Sequence, residues 1–160
     1  MKTPVNTDMS EPLSARQIVD MLNLAPHPEG GWYRETWRAS ATTDATAGDA
    51  GNARATGSAI YFLLDVGEFS HWHKVDADEL WLWHAGAPLS LSLSHNGRDA
   101  EAHILGPSLA AGQRPQRLVP AGSWQSATSL GAWTLVSCFV SPGFEFSGFE
   151  LAAADWRPEP

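Results

Sequence analysis

The sequence predicts an all-β domain, a sandwich or barrel of short strands preceded by one helix. Three observations carry this. From Trp32 onward the apolar residues recur with period two, in nine to eleven short runs. Gly, Pro, Asn and Asp separate those runs as turn residues. Only one segment near the N-terminus has a helical apolar stripe.

Taken in order, residues 1–12 read as a flexible tail. Ser14 can cap a helix to about Leu24, with Ile18, Val19, Met21 and Leu22 on one face. Pro26 and Pro28 then end it. A strand is expected over Trp32–Arg38, where alternation puts Tyr33 and Arg34 on opposite faces. Residues 39–56, rich in Ala, Thr, Gly and Asp, read as a loop or hairpin excursion. Ser58–Val66 is a buried strand, followed by Ser70–Val75 and Glu79–Ala85. Pro88–His95 sets Leu89, Leu91 and Leu93 against Ser90, Ser92 and Ser94, one buried face and one polar. Asn96-Gly97 is a strong hairpin signal leading into Ala100–Leu105. Further strands are expected near Arg117–Val119, Trp124–Ala127, Trp133–Val140 and Phe146–Leu151. The domain thus spans 13–153, with 154–160 as a C-terminal tail.

At 160 residues the chain is one domain, large enough to bury a core without staples. Its 18 acidic and 10 basic residues give a net charge of −8, against the electrostatic footprint of a nucleic-acid binder. No run approaches the length of a membrane span, and no secretory signal is visible, so a cytoplasmic location is expected. The lone Cys138 lies in an apolar run and reads as an inert core thiol. Eight tryptophans against two tyrosines point to an aromatic core or pocket.

The chemistry concentrates in His71-Trp72-His73 and Glu79. Two imidazoles two residues apart on a strand are expected on one face, and Asp76-Ala77-Asp78 reads as the turn that brings Glu79 back beside them. Such a set can hold a divalent metal (Zn, Mn, Fe or Ni) or perform acid/base work. Trp81 and Trp83 share the parity of Glu79 and should line the same interior, while Trp124 should face away from Gln125. A second group is His27, Glu29, Tyr33, Arg34 and Glu35, around the turn Pro28-Glu29-Gly30-Gly31. This group reads either as a structural entry turn or as a site where Tyr33 donates a proton and Arg34 or Arg38 meets an anion.

Three segments together resemble the cupin superfamily. Gly67 to Gly86, through His71-x-His73 and Glu79, is similar to its first signature. Pro120-Ala121-Gly122-Ser123-Trp124-Gln125 is similar to the second, with Gln125 where the family has histidine. Pro26-His27-Pro28-Glu29-Gly30-Gly31-Trp32-Tyr33-Arg34-Glu35-Thr36 resembles the entry segment of a cupin family called predicted sugar epimerases. The resemblance spans roughly residues 14–152. It implies a double-stranded β-helix (jelly-roll barrel) with a small polar molecule in the barrel, paired as a homodimer. Within it, His73, His71 and Tyr33 are the expected catalytic groups. Glu79, Gln125, Trp81, Trp83 and Arg34 are expected to bind a sugar or nucleotide-sugar-like substrate. Three readings follow: an epimerase or isomerase, a metal-dependent oxygenase or isomerase on His71, His73 and Glu79 with Gln125 as a weak fourth ligand, and a non-catalytic binding protein.

Overall fold

The computed structural model describes residues 12–43 and 53–159. Helix α1 (Ala15–Leu22) precedes the strands β1 (Ala25–Pro26), β2 (Trp32–Arg38), β3 (Ser58–Asp65), β4 (Phe69–Val75), β5 (Asp78–Gly86) and β6 (Leu89–Ser94). After them come β7 (Glu101–Leu105), β8 (Gln116–Val119), β9 (Trp124–Ser129), β10 (Trp133–Ser141) and β11 (Phe149–Leu151). Single 3₁₀ turns lie at Leu109–Ala111 and Phe146–Gly148. The strands form two antiparallel sheets, ordered β1-β2-β3-β10-β5-β8 and β11-β4-β9-β6-β7.

The helix starts where its capping box dictates. Ser14 Oγ accepts from the Gln17 amide at 3.3 Å, and the Gln17 side chain accepts from the Ser14 amide at 2.9 Å. Asn23, left-handed at φ 53°, ends it. Ala15, Ile18, Val19 and Leu24 then bury Leu63 on the outer face of β3.

Between the sheets, the core is graded along the strands. Phe62 and Leu64 on β3, Trp81 on β5, and Val136 and Cys138 on β10 pack with the Leu89-Leu91-Leu93 face of β6. Toward the other end of the same three strands, Ser58, Ile60, Glu79 and Val140 line a cavity instead. One end of the barrel is therefore filled, and the other is left open for function.

Several expectations are refined. The 39–56 segment begins and ends as a hairpin stem, with Thr42 bridging Ala55 and the Thr43 amide donating to the Arg54 carbonyl at 2.7 Å; its tip lies outside the described residues. The Asn96-Gly97 turn does join β6 to β7, but Leu93 already pairs Glu101, so the connection is longer than a two-residue hairpin. Asn96 Oδ1 accepts from the amides of Arg98 and Asp99, an Asx turn that favours the wider loop. Within the 154–160 tail, Trp156 is held by aromatic contacts. Its ring packs on Trp124 at 4.4 Å and Trp72 at 6.1 Å between centroids. Apolar burial of three indoles offsets the entropy of ordering that segment.

Candidate functional site

Two local irregularities build the site. The first is the turn at Pro28-Glu29-Gly30-Gly31. Gly30 and Gly31 have φ 108° and 70°, conformations that L side chains rarely adopt. A Cβ on Gly30 would strike the Phe69 carbonyl oxygen, and one on Gly31 would lie 2.7 Å from that of Leu63. Only glycine lets the turn lie this flat against β3 and β4. The His71 amide donates to the Glu29 carbonyl at 2.8 Å, fixing the turn to β4 and leaving the Glu29 side chain 8% exposed.

The second irregularity is a bulge in β4. Ser70 pairs Ala127 and His73 pairs Gln125, so three steps on β4 match two on β9. The extra residue inverts parity between His71 and His73. Ser70 and His73 are buried facing inward, whereas His71 is half-buried and its Nε2 donates to the Ala153 carbonyl at 2.8 Å. The expectation that His71 and His73 share one face is therefore corrected. His71 latches the C-terminal segment and does not line the cavity.

That cavity, of about 370 Å³, is lined by His27, Glu29, Tyr33, His73 and Glu79, with Phe144 and Phe146 among its apolar walls. Glu29 is buried in its lining. Its Oε1 accepts from Ser70 Oγ at 2.9 Å, and its Oε2 lies 3.2 Å from His73 Nε2. The partners determine the protons. His73 Nδ1 is 2.7 Å from the His71 carbonyl, which can only accept, so Nδ1 carries a hydrogen. Burial lowers the His73 pKa, and burial raises that of Glu29 to about 8 against the Ser70 hydrogen bond. At neutral pH the proton between them therefore sits on Glu29 Oε2, donated to a neutral His73. His27 Nδ1 accepts from the Glu29 amide at 3.2 Å, so its own hydrogen is on Nε2; burial and then His73 lower its pKa to about 4.

Glu79 is held from below. Gln125 Nε2 donates to its Oε2 at 2.6 Å, and Trp81 Nε1 donates to Gln125 Oε1 at 2.8 Å. Burial raises the Glu79 pKa, with His73 and the Gln125 hydrogen bond pulling the other way. Burial pushes the Cys138 thiol well above its usual range, keeping it protonated.

The predicted residues thus divide. His73, Glu79 and Tyr33 come together at the cavity, and Gln125 stands directly behind Glu79. Trp81 and Trp83 do share the parity of Glu79 but pack in the closed core; Trp83 Nε1 donates to the Ala87 carbonyl at 3.0 Å. Parity fixes the face of a strand, not the depth along the barrel, so neither indole lines the cavity. Arg34 borders the cavity, yet it pairs Tyr61 on the outer face while Tyr33 pairs the buried Phe62. Past the bulge between Glu35 and Trp37, Arg38 regains inner parity; it is bound by Glu35 at 2.7 and 3.0 Å and lies 3.5 Å from Glu145. Glu29 and His27, which the sequence places in the second group without a role, both line the cavity. The available signal was a carboxylate inside a Pro-x-Gly-Gly turn, where a solvated loop has no need of paired glycines.

The side chains do not fit the expected metal set. His71 faces away, and the Gln125 amide oxygen already accepts from Trp81. Among the described residues no three His, Cys, Asp or Glu side chains are grouped to hold a metal ion.

Burying Glu29 gives a pH signature. A carboxyl whose pKa rises on folding binds more protons folded than unfolded, so stability falls as pH climbs toward about 8. His27, lowered to about 4, acts oppositely below its ordinary 6.5, so between roughly pH 6.5 and 8 the buried carboxyls, Glu29 with Glu79, set the sign. Glu29→Gln mimics the protonated acid. Its melting temperature relative to the parent protein is expected to rise steadily between pH 6 and 8.5; a pH-independent difference would contradict the assignment.

The comparisons with known proteins come to the same fold. A hypothetical protein from Leishmania major is 32% identical, covering 88% of each chain with a TM-score of 0.78. A Shewanella oneidensis protein is 40% identical over 89% of this chain and 86% of that one, with a TM-score of 0.79. At 12% identity, Bacillus subtilis oxalate decarboxylase shares the fold over 79% of this chain and 29% of its own, with a TM-score of 0.55. No curated protein matches the chain. Among the described residues no helix is long and apolar enough to cross a membrane. Residues 16–152 match the family described as Cupin superfamily (DUF985), and with its two packed antiparallel sheets and open-ended cavity the chain belongs to that family.

Proposed function

We propose that this cupin binds a monosaccharide-sized compound in its barrel and moves a proton on and off carbon, as an isomerase or epimerase does. The observation carrying this reading is the buried Glu29–His73 pair, 3.2 Å apart, in one cavity with Tyr33. Both His73 nitrogens are engaged, so the base is the pair and not the imidazole alone. With its shared proton lost, Glu29 can accept hydrogen from a carbon beside a substrate carbonyl. The C–H electrons move into an enolate, and the Tyr33 hydroxyl returns a proton to carbon. Proton return from the pair to Tyr33 restores the starting state. A raised carboxyl pKa near neutrality suits such a base. The cavity volume of about 370 Å³ suits a single sugar rather than a nucleotide-sugar.

The test is ¹H NMR in D₂O with a panel of aldoses, ketoses and amino sugars. Loss of the C–H signal next to the carbonyl of one compound is expected, with exchange slowed about 100-fold or more in Glu29→Gln and in Tyr33→Phe. Exchange unaffected by either substitution, or absent from the whole panel, would contradict the mechanism.

We also propose that the chain pairs with a second copy through the outer face of its larger sheet. Strand pairing sets Trp37, Ala59, Phe139, Leu80 and Leu118 in one apolar row across five strands. Trp37 and Leu118, 48% and 49% exposed, end that row. A continuous apolar row suits a two-fold, self-complementary contact. Sedimentation velocity at micromolar concentration should show a dimer that Leu118→Glu converts to monomer; a monomeric parent protein would refute the pairing.

A further inference from the structure

The charges around the cavity are unbalanced in a way that names its ligand. Four glutamates, Glu29, Glu35, Glu79 and Glu145, line it against two arginines. Arg38 is engaged by Glu35 and Glu145, and Arg34 lies opposite in parity to Tyr33. Among the described lining residues that are buried there are two carboxyl groups, Glu29 and Glu79, and no Lys or Arg. Burying carboxyl groups without a cation is costly. The cost shows in both groups: burial raises each pKa, and Glu29 raises that of Glu79 further.

The walls add a second, independent preference. Tyr33, Phe144 and Phe146 line the same space, with Phe144 and Phe146 edge to face at 4.9 Å. Aromatic faces carry negative quadrupole charge and attract organic cations. A cationic group entering here shares the space with these rings and with the two buried carboxyls. An anion would add a further negative charge to a low-dielectric site in a chain of net charge −8.

We propose that the cavity selects a sugar-sized compound bearing a primary amine, its ammonium held by Glu29 and Glu79 and its body against Tyr33, Phe144 and Phe146. This deepens the isomerase reading by naming the substrate class, and it shares with that reading the location of the site. The amine supplies the charge that the buried carboxyls lack. Binding therefore favours the ionised form of Glu29 and releases a proton near neutral pH.

Isothermal titration calorimetry of the full-length protein in EDTA, with D-glucosamine, N-acetyl-D-glucosamine and D-glucuronate as probes, tests this. Glucosamine is expected to bind at least about tenfold more tightly than the acetylated form, with proton release seen as a buffer-dependent enthalpy, and glucuronate is expected not to bind. Glu79→Gln should abolish the preference for the amine. Phe146→Ala, at a position 53% exposed and outside the core, should weaken glucosamine binding about three- to tenfold with the fold intact. Equal or tighter binding of either other probe, or no glucosamine binding at tens of millimolar, would overturn the proposal. Carbon–hydrogen exchange on an uncharged or anionic sugar would overturn it while leaving the isomerase reading standing. The predicted binding pattern without any exchange would do the reverse.

Discussion

The burial of Glu29 against His73 is the constraint on which the rest of the site depends. A carboxyl moved out of water must find hydrogen-bond partners or keep its proton, and here it does both. Ser70 donates to one oxygen, and the other is shared with His73 at 3.2 Å. Each partner requires a particular backbone device. The paired glycines deliver the carboxyl into the barrel, and the β4 bulge aims Ser70 and His73 at it together. Because the His71 amide binds the Glu29 carbonyl, the two devices are joined at one point.

Behind this pair, the barrel supplies a second buried carboxyl with a different support. Glu79 stands on Gln125, which stands on Trp81, a relay of donors ending in a fully buried indole. A glutamine at position 125 is chemically apt for that arrangement. Its amide accepts from the indole at one end and donates to the carboxyl at the other, which a single-tautomer imidazole could do only in one orientation. The amide that replaces the second-signature histidine thus anchors a carboxyl hydrogen-bond network, with its oxygen turned away from the cavity and toward the core.

Much of this was legible in the residues, and the failures have definite causes. Alternation placed Leu89, Leu91 and Leu93 inside, put Tyr33 and Arg34 on opposite faces, and paired Trp81 and Trp83 with Glu79. It misplaced His71 because one inserted residue reverses parity, and nothing in Ser70-His71-Trp72-His73 announces a bulge. It overstated the two indoles because face and depth are separate coordinates. Glu29 is grouped with the entry turn but given no role, because a charged residue in a Pro/Gly turn has no local sign of burial; its burial depends on long-range packing of the turn against Phe69 and Leu63. The Trp156 contact is long-range in the same sense, joining the chain's end to β4 and β9.

The central claim is that Glu29 and His73 form a neutral, proton-sharing pair at physiological pH and not an ion pair. Nuclear magnetic resonance of protein labelled with ¹³C and ¹⁵N in glutamate and histidine reads this directly. The account predicts a Glu29 carboxyl carbon that titrates near pH 8, with His73 protonated at Nδ1 and bare at Nε2 through neutral pH. A Glu29 carboxylate already ionised at pH 6 beside a doubly protonated His73 imidazolium would contradict it.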